Sequence, residues 1–455
     1  MTTESAQAQR IRGRLARKAI PRKALGEFTA LDRDPAAMIQ RRDEGRLARL
    51  VPLRHQRMSA SEFAFFRGSA GLMAHDLALQ AQTDTQLVIC GDAHINNFGL
   101  YASPERRLMF DLNDFDEAAP GPWEWDVKRL LTSAILTAKE IGASPDEVSD
   151  IAQNGAKTYR TAMQEMLAKP ALERHYVSVD STTIAASVRE GGLRGFTKTT
   201  QKARKRDADR TIAHLMTPDR MGFLRFKDDP PILTHTGEMS QRDFEELFLQ
   251  YRDSALSEIG FLLSRYEITD VAMRVVGVGS VGTRCYLVAL TGPEGNGMVL
   301  QIKEAGESVV THFSEPNMTT PQTLTKDMSG GDRVVTHQRI LQAVSDPFLG
   351  HITQGGRSYY VRQYRDAKGS FDTTTMDVET LKNYVRLCTT LLARAHSQSP
   401  YAHWVGGYIG DTDAFDVAIL SWCTKYSEQV SRDYRRYLEA IEDGRVSVAM
   451  EEPAT

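Results

Sequence analysis

Cysteine is scarce: four in 455 residues, at Cys90, Cys285, Cys388 and Cys423. None is close to another, so neither a zinc spacing nor a disulfide framework is present. Each stands among apolar neighbours, as a buried free thiol in a reducing compartment does. Long apolar runs are missing as well. No stretch approaches the roughly 20 residues of a membrane span, and the basic N-terminus, MTTESAQAQRIRGRLARKAIPRK, lacks the apolar centre of a secretory signal. Charge of one sign is not in excess either: 56 Lys and Arg stand against 59 Asp and Glu, for a net charge of −3. Nucleic-acid backbones call for a basic domain or stripe. These absences predict a cytoplasmic protein whose partners are neither nucleic acid nor membrane. There are no internal repeats and no low-complexity segments. The length suits two or three domains with cores that need no covalent staples.

What is abundant is local. Cys90 to Asp126 reads CGDAHINNFGLYASPERRLMFDLNDFDEAAPGPWEWD and gathers Asp92, His94, Asn96, Asn97, Asp111, Asn113, Asp114, Asp116 and Glu117 between apolar runs. Carboxylates and amides at strand ends supply the oxygen ligands a hard cation such as magnesium takes, with room left for phosphate and water. The plainer reading is a turn-rich hairpin with solvated acids. Gln86 to Cys90 reads as a buried strand, and FGLYA and RLMFDL as a hairpin that returns the later acids towards Asp92. Upstream, Ser59 or Ser61 can cap a helix that carries Phe63, Phe65, Phe66 and Arg67. Arg67 needs an anion, either a phosphate or a protein carboxylate.

Downstream, helices are predicted over Trp123 to Gly142, Val148 to Ala168 and Gln241 to Tyr266. Between them, Arg189 to Asp229 is basic, with Lys202, Arg204, Lys205, Arg206 and Arg210 close together; it reads as a solvated face or as a lid over an acidic substrate. A β-rich block begins near Ile268, with a hairpin turn over Pro293 to Gly297. A helix over Arg333 to Val344, two more strands, and helices over Leu381 to Ser397 and Asp416 to Ile441 complete the chain. The predicted organisation is a flexible basic tail over 1–25, a helical lobe over 26–265, a β-rich lobe over 266–368, helices returning to the first lobe over 369–445, and a flexible tail over 446–455.

The β-rich block holds a second candidate site. Gly277-Val278-Gly279-Ser280-Val281-Gly282 fits G-x-G-x-x-G, but a strand follows it rather than the helix of a dinucleotide fold. A glycine loop between strands lets backbone N–H groups approach phosphates. The next strand ends in Gln301-Ile302-Lys303-Glu304. A lysine there is either a phosphate ligand or a charge guarding a sheet edge.

Together these words resemble the kinase-like phosphotransferases of the aminoglycoside phosphotransferase and choline kinase type. Gly91-Asp92-Ala93-His94-Ile95-Asn96-Asn97 is similar to their loop H-G-D-x-H-x-x-N, with Cys90 in place of the first histidine. Asp114-Phe115-Asp116-Glu117-Ala118 is similar to their I-D-F-x-x-A, and Asp126 falls where the family has a further aspartate. The resemblance implies an α+β, two-lobed, protein-kinase-like fold with a small antiparallel β-rich lobe and a larger helical lobe. It implies ATP and Mg as cofactors, and a nucleotide and a small-molecule hydroxyl acceptor as partners. Asp92 would be the catalytic base or the group that orients the acceptor hydroxyl, and His94 would support its loop. Asn97 and Asp114 would hold the metal, with Asp111 a competitor for Asp114. Gly277, Gly279, Ser280, Gly282, Lys303 and Arg67 would bind the nucleotide, and Asp126 would anchor the catalytic loop. On this resemblance the order of parts would be circularly permuted, because the catalytic loop precedes the glycine loop and LLARAHSQS has no such loop after it. The glutamate that should pair with Lys303 is missing from the Arg333 to Val344 helix, which offers only Asp332 and Gln338.

The chain also resembles a bacterial family known as domain of unknown function 2252, through FFRGSAGLMAHDLA, GDAHINNFG, NDFDEA, PWEWDVKRL, VGVGSVGTRCY, LQIKEA, YYVRQYRDAKGS and LARAHSQS. That family carries no assigned activity. Two further readings stand beside the phosphotransferase. One is a nucleotide-binding pseudokinase or nucleotidyl-transferring protein. The other is a metal-dependent phosphoesterase, against which stands the lack of G-N-H-E and G-N-H-D.

Overall fold

The computed structural model describes residues 4–180, 200–201, 213–220, 223–235, 241–317, 319–320, 324, 328–364 and 369–449. The basic segment over 194–210 lies outside the described residues apart from Thr200 and Gln201. Helices and small antiparallel sheets mix in an α+β arrangement. No helix among the described residues is long and apolar enough to cross a membrane.

Two short sheets carry the acid-rich stretch. Strand β1 (Gln86–Ile89) pairs with β4 (Ala119–Pro122), and β2 (Phe98–Ala102) pairs with β3 (Leu108–Leu112) as the predicted hairpin. The two pairings set residues 90–97 against residues 113–118, and the Asn113 N–H donates to the Asn97 carbonyl at 3.0 Å. Behind them, helices Glu124–Glu140, Pro145–Ala168, Val378–His396 and Ala414–Glu442 pack around one large apolar core that includes Trp123, Tyr159 and Trp422.

The β-rich block is a six-stranded antiparallel sheet in the order β11-β12-β10-β9-β8-β7. Its members are β7 (Leu233–Thr234), β8 (Glu267–Arg274), β9 (Cys285–Thr291), β10 (Gly297–Glu304), β11 (Gly350–Gln354) and β12 (Arg357–Gln363), and a short hairpin of β5 (Met216–Pro218) and β6 (Leu224–Phe226) precedes them in the chain. Side chains alternate between its faces, as the period of two requires. Tyr286, Val288 and Leu290 enter one core with Phe244, Leu247 and Tyr251, while Leu287 and Ala289 enter another with Met216 and Phe226.

Four expectations are corrected. The basic N-terminus is no tail from residue 6 onward: Ala6–Ala16 is a helix capped by Ser5 and packed on Ala402–Ile409. At the other end, Val446 is 2 % exposed and its N–H donates to the Ala440 carbonyl, so residues 446–449 are also anchored. Gln241 to Tyr266 is two helices, Gln241–Ser254 and Ser257–Leu263, because Leu256 is extended. Both sit on the six-stranded sheet, and Leu233–Thr234 forms its edge. The β-rich unit therefore reaches back well before residue 266.

Candidate functional site

One helix face builds the loop that carries Asp92. Asp126, Arg129 and Ser133 lie at i, i+3 and i+7 of Glu124–Glu140 and so point the same way. The Asp126 carboxylate accepts the N–H groups of Cys90 at 2.6 Å and Gly91 at 2.8 Å. Arg129 Nε donates to Asp92 Oδ1 at 2.8 Å, and Ser133 Oγ accepts the Ile95 N–H at 2.9 Å. Gly91 has φ +77°, and a Cβ there would lie 2.3 Å from the Glu117 carbonyl, so only glycine fits. His396 Nε2 meets Asp126 Oδ2 at 3.2 Å from the last turn of Val378–His396, and Tyr159 OH closes the row on His396 Nδ1 at 2.8 Å.

Within the loop, the Asn97 amide nitrogen donates to the Asp92 carbonyl at 2.6 Å. His94 Nδ1 accepts the Asn96 N–H at 3.2 Å. Burial holds His94 neutral, with its ionisation far below the usual imidazole range. Asp92 is shifted the other way. Burial pushes its carboxyl up to about 7 against the opposing pull of Arg129.

The glycine loop reaches the same place. Gly277, Gly279 and Ser280 line a cavity of about 1220 Å³ together with Arg67, Asp92, His94, Asn97, Asp114 and Lys303. Nothing lies within 4 Å of a Cβ built on Gly277, so its backbone is open to a ligand. Gly282 does not line the cavity; it turns the chain with φ +88°. Arg46 and Arg57 hold the loop by donating to the Val281 and Val276 carbonyls, each at 2.7 Å.

Lys303 sits between Cys285 and Tyr360 in the ladder and is 3 % exposed. Its Nζ donates to Asp116 Oδ2 and to Ser280 Oγ, the latter at 2.8 Å. Tyr360 OH donates to Asp116 Oδ1 at 2.9 Å. Burial alone would lower the lysine's ionisation, but Asp116 outweighs it and keeps Lys303 charged; in return Asp116 is held below the usual carboxylate range. Asp116, 187 residues earlier, is the acidic partner that no helix supplied. The helix that precedes β11, Gly330–Leu341, offers Arg333 instead, which donates to the carbonyls of Asp116 and Ala118 and fixes the acidic turn.

Asp111 is removed from the competition with Asp114. It is 1 % exposed, accepts the Ala343 N–H at 2.8 Å and does not line the cavity. Among the described residues no three His, Cys, Asp or Glu are grouped to hold a metal. Asp114 and the Asn97 oxygen are two hard ligands on one cavity. They fit a magnesium ion that takes its other ligands from phosphate and water. Arg67 also lines the cavity, its Nε is buried without a hydrogen-bond partner among the described residues, and it feels the charges of Asp92 and Asp114.

Sequence reasoning missed Asp116, Arg129, Tyr360 and Arg362. Asp116 and Arg129 lay inside the words NDFDEA and PWEWDVKRL. Tyr360 and Arg362 carried no signal until β10 and β12 were paired, which sets them opposite Lys303 and Gln301.

The raised carboxyl of Asp92 makes stability depend on pH. Unfolded, it ionises near 3.8; folded, near 7. Its contribution is fully present below about pH 4 and is lost as pH rises through about 7. Asp92→Asn, which also takes the carboxylate partner from buried Arg129, should therefore gain stability relative to wild type as pH rises from about 4 to 8. Denaturant titrations at several pH values check this, and identical pH dependence in both proteins would refute it.

A family model described as an uncharacterized protein conserved in bacteria (DUF2252) matches residues 46–440. No curated protein and no solved structure matches the chain.

Proposed function

The chain belongs to the DUF2252 family, and we propose that it is an ATP- and Mg-dependent phosphotransferase of circularly permuted, kinase-like fold that acts on a hydroxyl of a small acceptor. One observation carries the reading. Lys303 and the glycine loop open into the same cavity as Asp92, Asn97 and Asp114, although the sequence separates them by about two hundred residues. In phosphoryl transfer, positioning and charge neutralisation supply most of the catalysis.

Asp92 takes the proton of the acceptor hydroxyl as its oxygen forms the new O–P bond and the bond to the nucleoside diphosphate breaks. A base ionising near pH 7 suits that work. Lys303 and the glycine-loop amides hold the nucleotide's phosphates. Arg67, near Asp92 and Asp114, offsets charge on the transferring group. Asn97 and Asp114 would hold magnesium, which when bound neutralises phosphate charge.

A second reading, nucleotide binding without transfer, draws on the engagement of Lys303 by Asp116 and Ser280. Thermal unfolding with ATP, with and without magnesium, tests both. Wild type should gain about 2.7 kcal/mol at a hundred times the dissociation constant, and Lys303→Ala and Asp114→Asn should lose most of the gain. No magnesium-dependent gain in wild type would overturn nucleotide binding. Asp92→Ala then separates the readings, since it should abolish phosphotransfer and leave nucleotide bound.

A further inference from the structure

We infer that the acceptor carries an anionic group of its own, phosphate or carboxylate, and that Arg42 receives it. This rests on the phosphotransferase reading for the word acceptor; the anion site stands on its own observations.

Charge around the cavity is largely satisfied from within the protein. Most acids on its walls already have partners. Asp34 caps helix Pro35–Asp43 and pairs with Arg445. Glu117 accepts the Val309 N–H. Glu304 pairs with Arg284 and Arg357, and Glu307 with His312. Arg42, which lines the cavity and is partly exposed to it, makes no hydrogen bond and no ion pair among the described residues. A guanidinium left unpaired in a concave wall is a ready ligand for carboxylate or phosphate.

Its position is set by the helix Ala70–Ala78 and by Val309. A Cβ on Gly71 would lie 3.4 Å from Arg42 Nε and 3.5 Å from Val309 Cγ1, so Arg42 crosses the start of helix Ala70–Ala78 beside Val309. Its charge acts on Glu117, Arg46 and Arg54. Lys303 answers instead to Asp116, Tyr360, Asp114 and Arg362. Glu117 in turn acts on Asp92. Glu117 accepts the Val309 N–H, and its carbonyl lies 2.3 Å from a Cβ built on Gly91, so Arg42, beside Val309, stands next to the loop that carries Asp92. An acceptor whose hydroxyl faces Asp92 and whose anionic group meets Arg42 spans that part of the cavity.

Calorimetric titration of the full chain with inorganic phosphate, and separately with acetate, tests the site with and without saturating magnesium and a non-hydrolysable ATP analogue. At least one anion should bind alongside the analogue; the tighter of the two identifies the group. Arg42→Ala should weaken that binding at least tenfold and change the analogue's Kd less than about twofold. Arg42→Gln, which keeps the helix surface polar, should behave alike. No anion binding, binding that competes with the analogue, or wild-type affinity in both variants would overturn the inference. If the analogue does not bind but the anion does so through Arg42, the phosphotransferase reading fails and the anion site remains.

Discussion

Lys303→Ala is expected to destabilise the protein by roughly 2–4 kcal/mol and to reduce any phosphotransfer by about 10²–10³-fold. The stability term follows from what stays behind. Lys303 is 3 % exposed and Asp116 keeps 24 % of its side chain accessible. Removing one member of a buried ion pair strands the other. Access of Asp116 to water sets the cost somewhat below the about 3–5 kcal/mol of a fully enclosed pair. The alanine also leaves Ser280 without its donor and Tyr360 bound to a lone carboxylate. The double variant with Asp116→Ala should recover part of the loss, because no charge is then left unpaired. It should not recover nucleotide binding, since phosphates still lack their cation. Urea titrations of the two single variants and the double variant, each with nucleotide calorimetry, read both effects. Equal destabilisation by the double and the summed singles would mean that Lys303 and Asp116 do not act as a pair.

That pairing also marks the limit of what could be read from the chain. The Asp92 loop, the glycine loop and Lys303 were legible because each is a short word whose chemistry depends on adjacent residues. The strands were legible because apolar residues alternate or run together, and the turns between β9 and β10 and between β11 and β12 carry glycine. The partner of Lys303 was not legible, because it depends on a contact across 187 residues and two sheets. The expected source, a glutamate on the helix that precedes β11, is replaced by Arg333 gripping the backbone of the turn that bears Asp116.

The N-terminal helix was hidden for a different reason. It docks by close backbone approach rather than by an apolar stripe: a Cβ on Gly13 would lie 2.0 Å from the Trp404 carbonyl, while Ile11 and Leu15 are about half exposed. Hydrophobic periodicity has nothing to report there. The early edge of the β-rich unit was missed because β7 is two residues long. Helix Gln241–Ser254 shows an amphipathic pattern that says it is packed without saying on which layer.

Asp126→Asn should be the most damaging change among the residues that never touch a ligand. The carboxylate is 0 % exposed and accepts from Cys90, Gly91 and His396 at once. An amide of the same shape keeps one acceptor oxygen and turns an NH₂ towards a backbone N–H. One buried donor is left unsatisfied and faces another, at a cost of about 1–3 kcal/mol. Asp92 is two residues from Cys90, so the strain is delivered to the catalytic carboxylate, and a displacement of about 1 Å at such a group costs on the order of 10²-fold in rate. His396→Ala removes one bond from the same oxygen and leaves both loop amides held, so its effect on rate should be smaller than that of Asp126→Asn. The distinguishing readout is the pH profile. In wild type, activity should rise with pH and level off above about 7, following Asp92. With Asp126→Asn the plateau falls and its midpoint moves, because the contact between Arg129 and Asp92 changes with the loop. A reduced plateau with an unmoved midpoint would assign Asp126 to stability alone and leave the placement of Asp92 to Arg129.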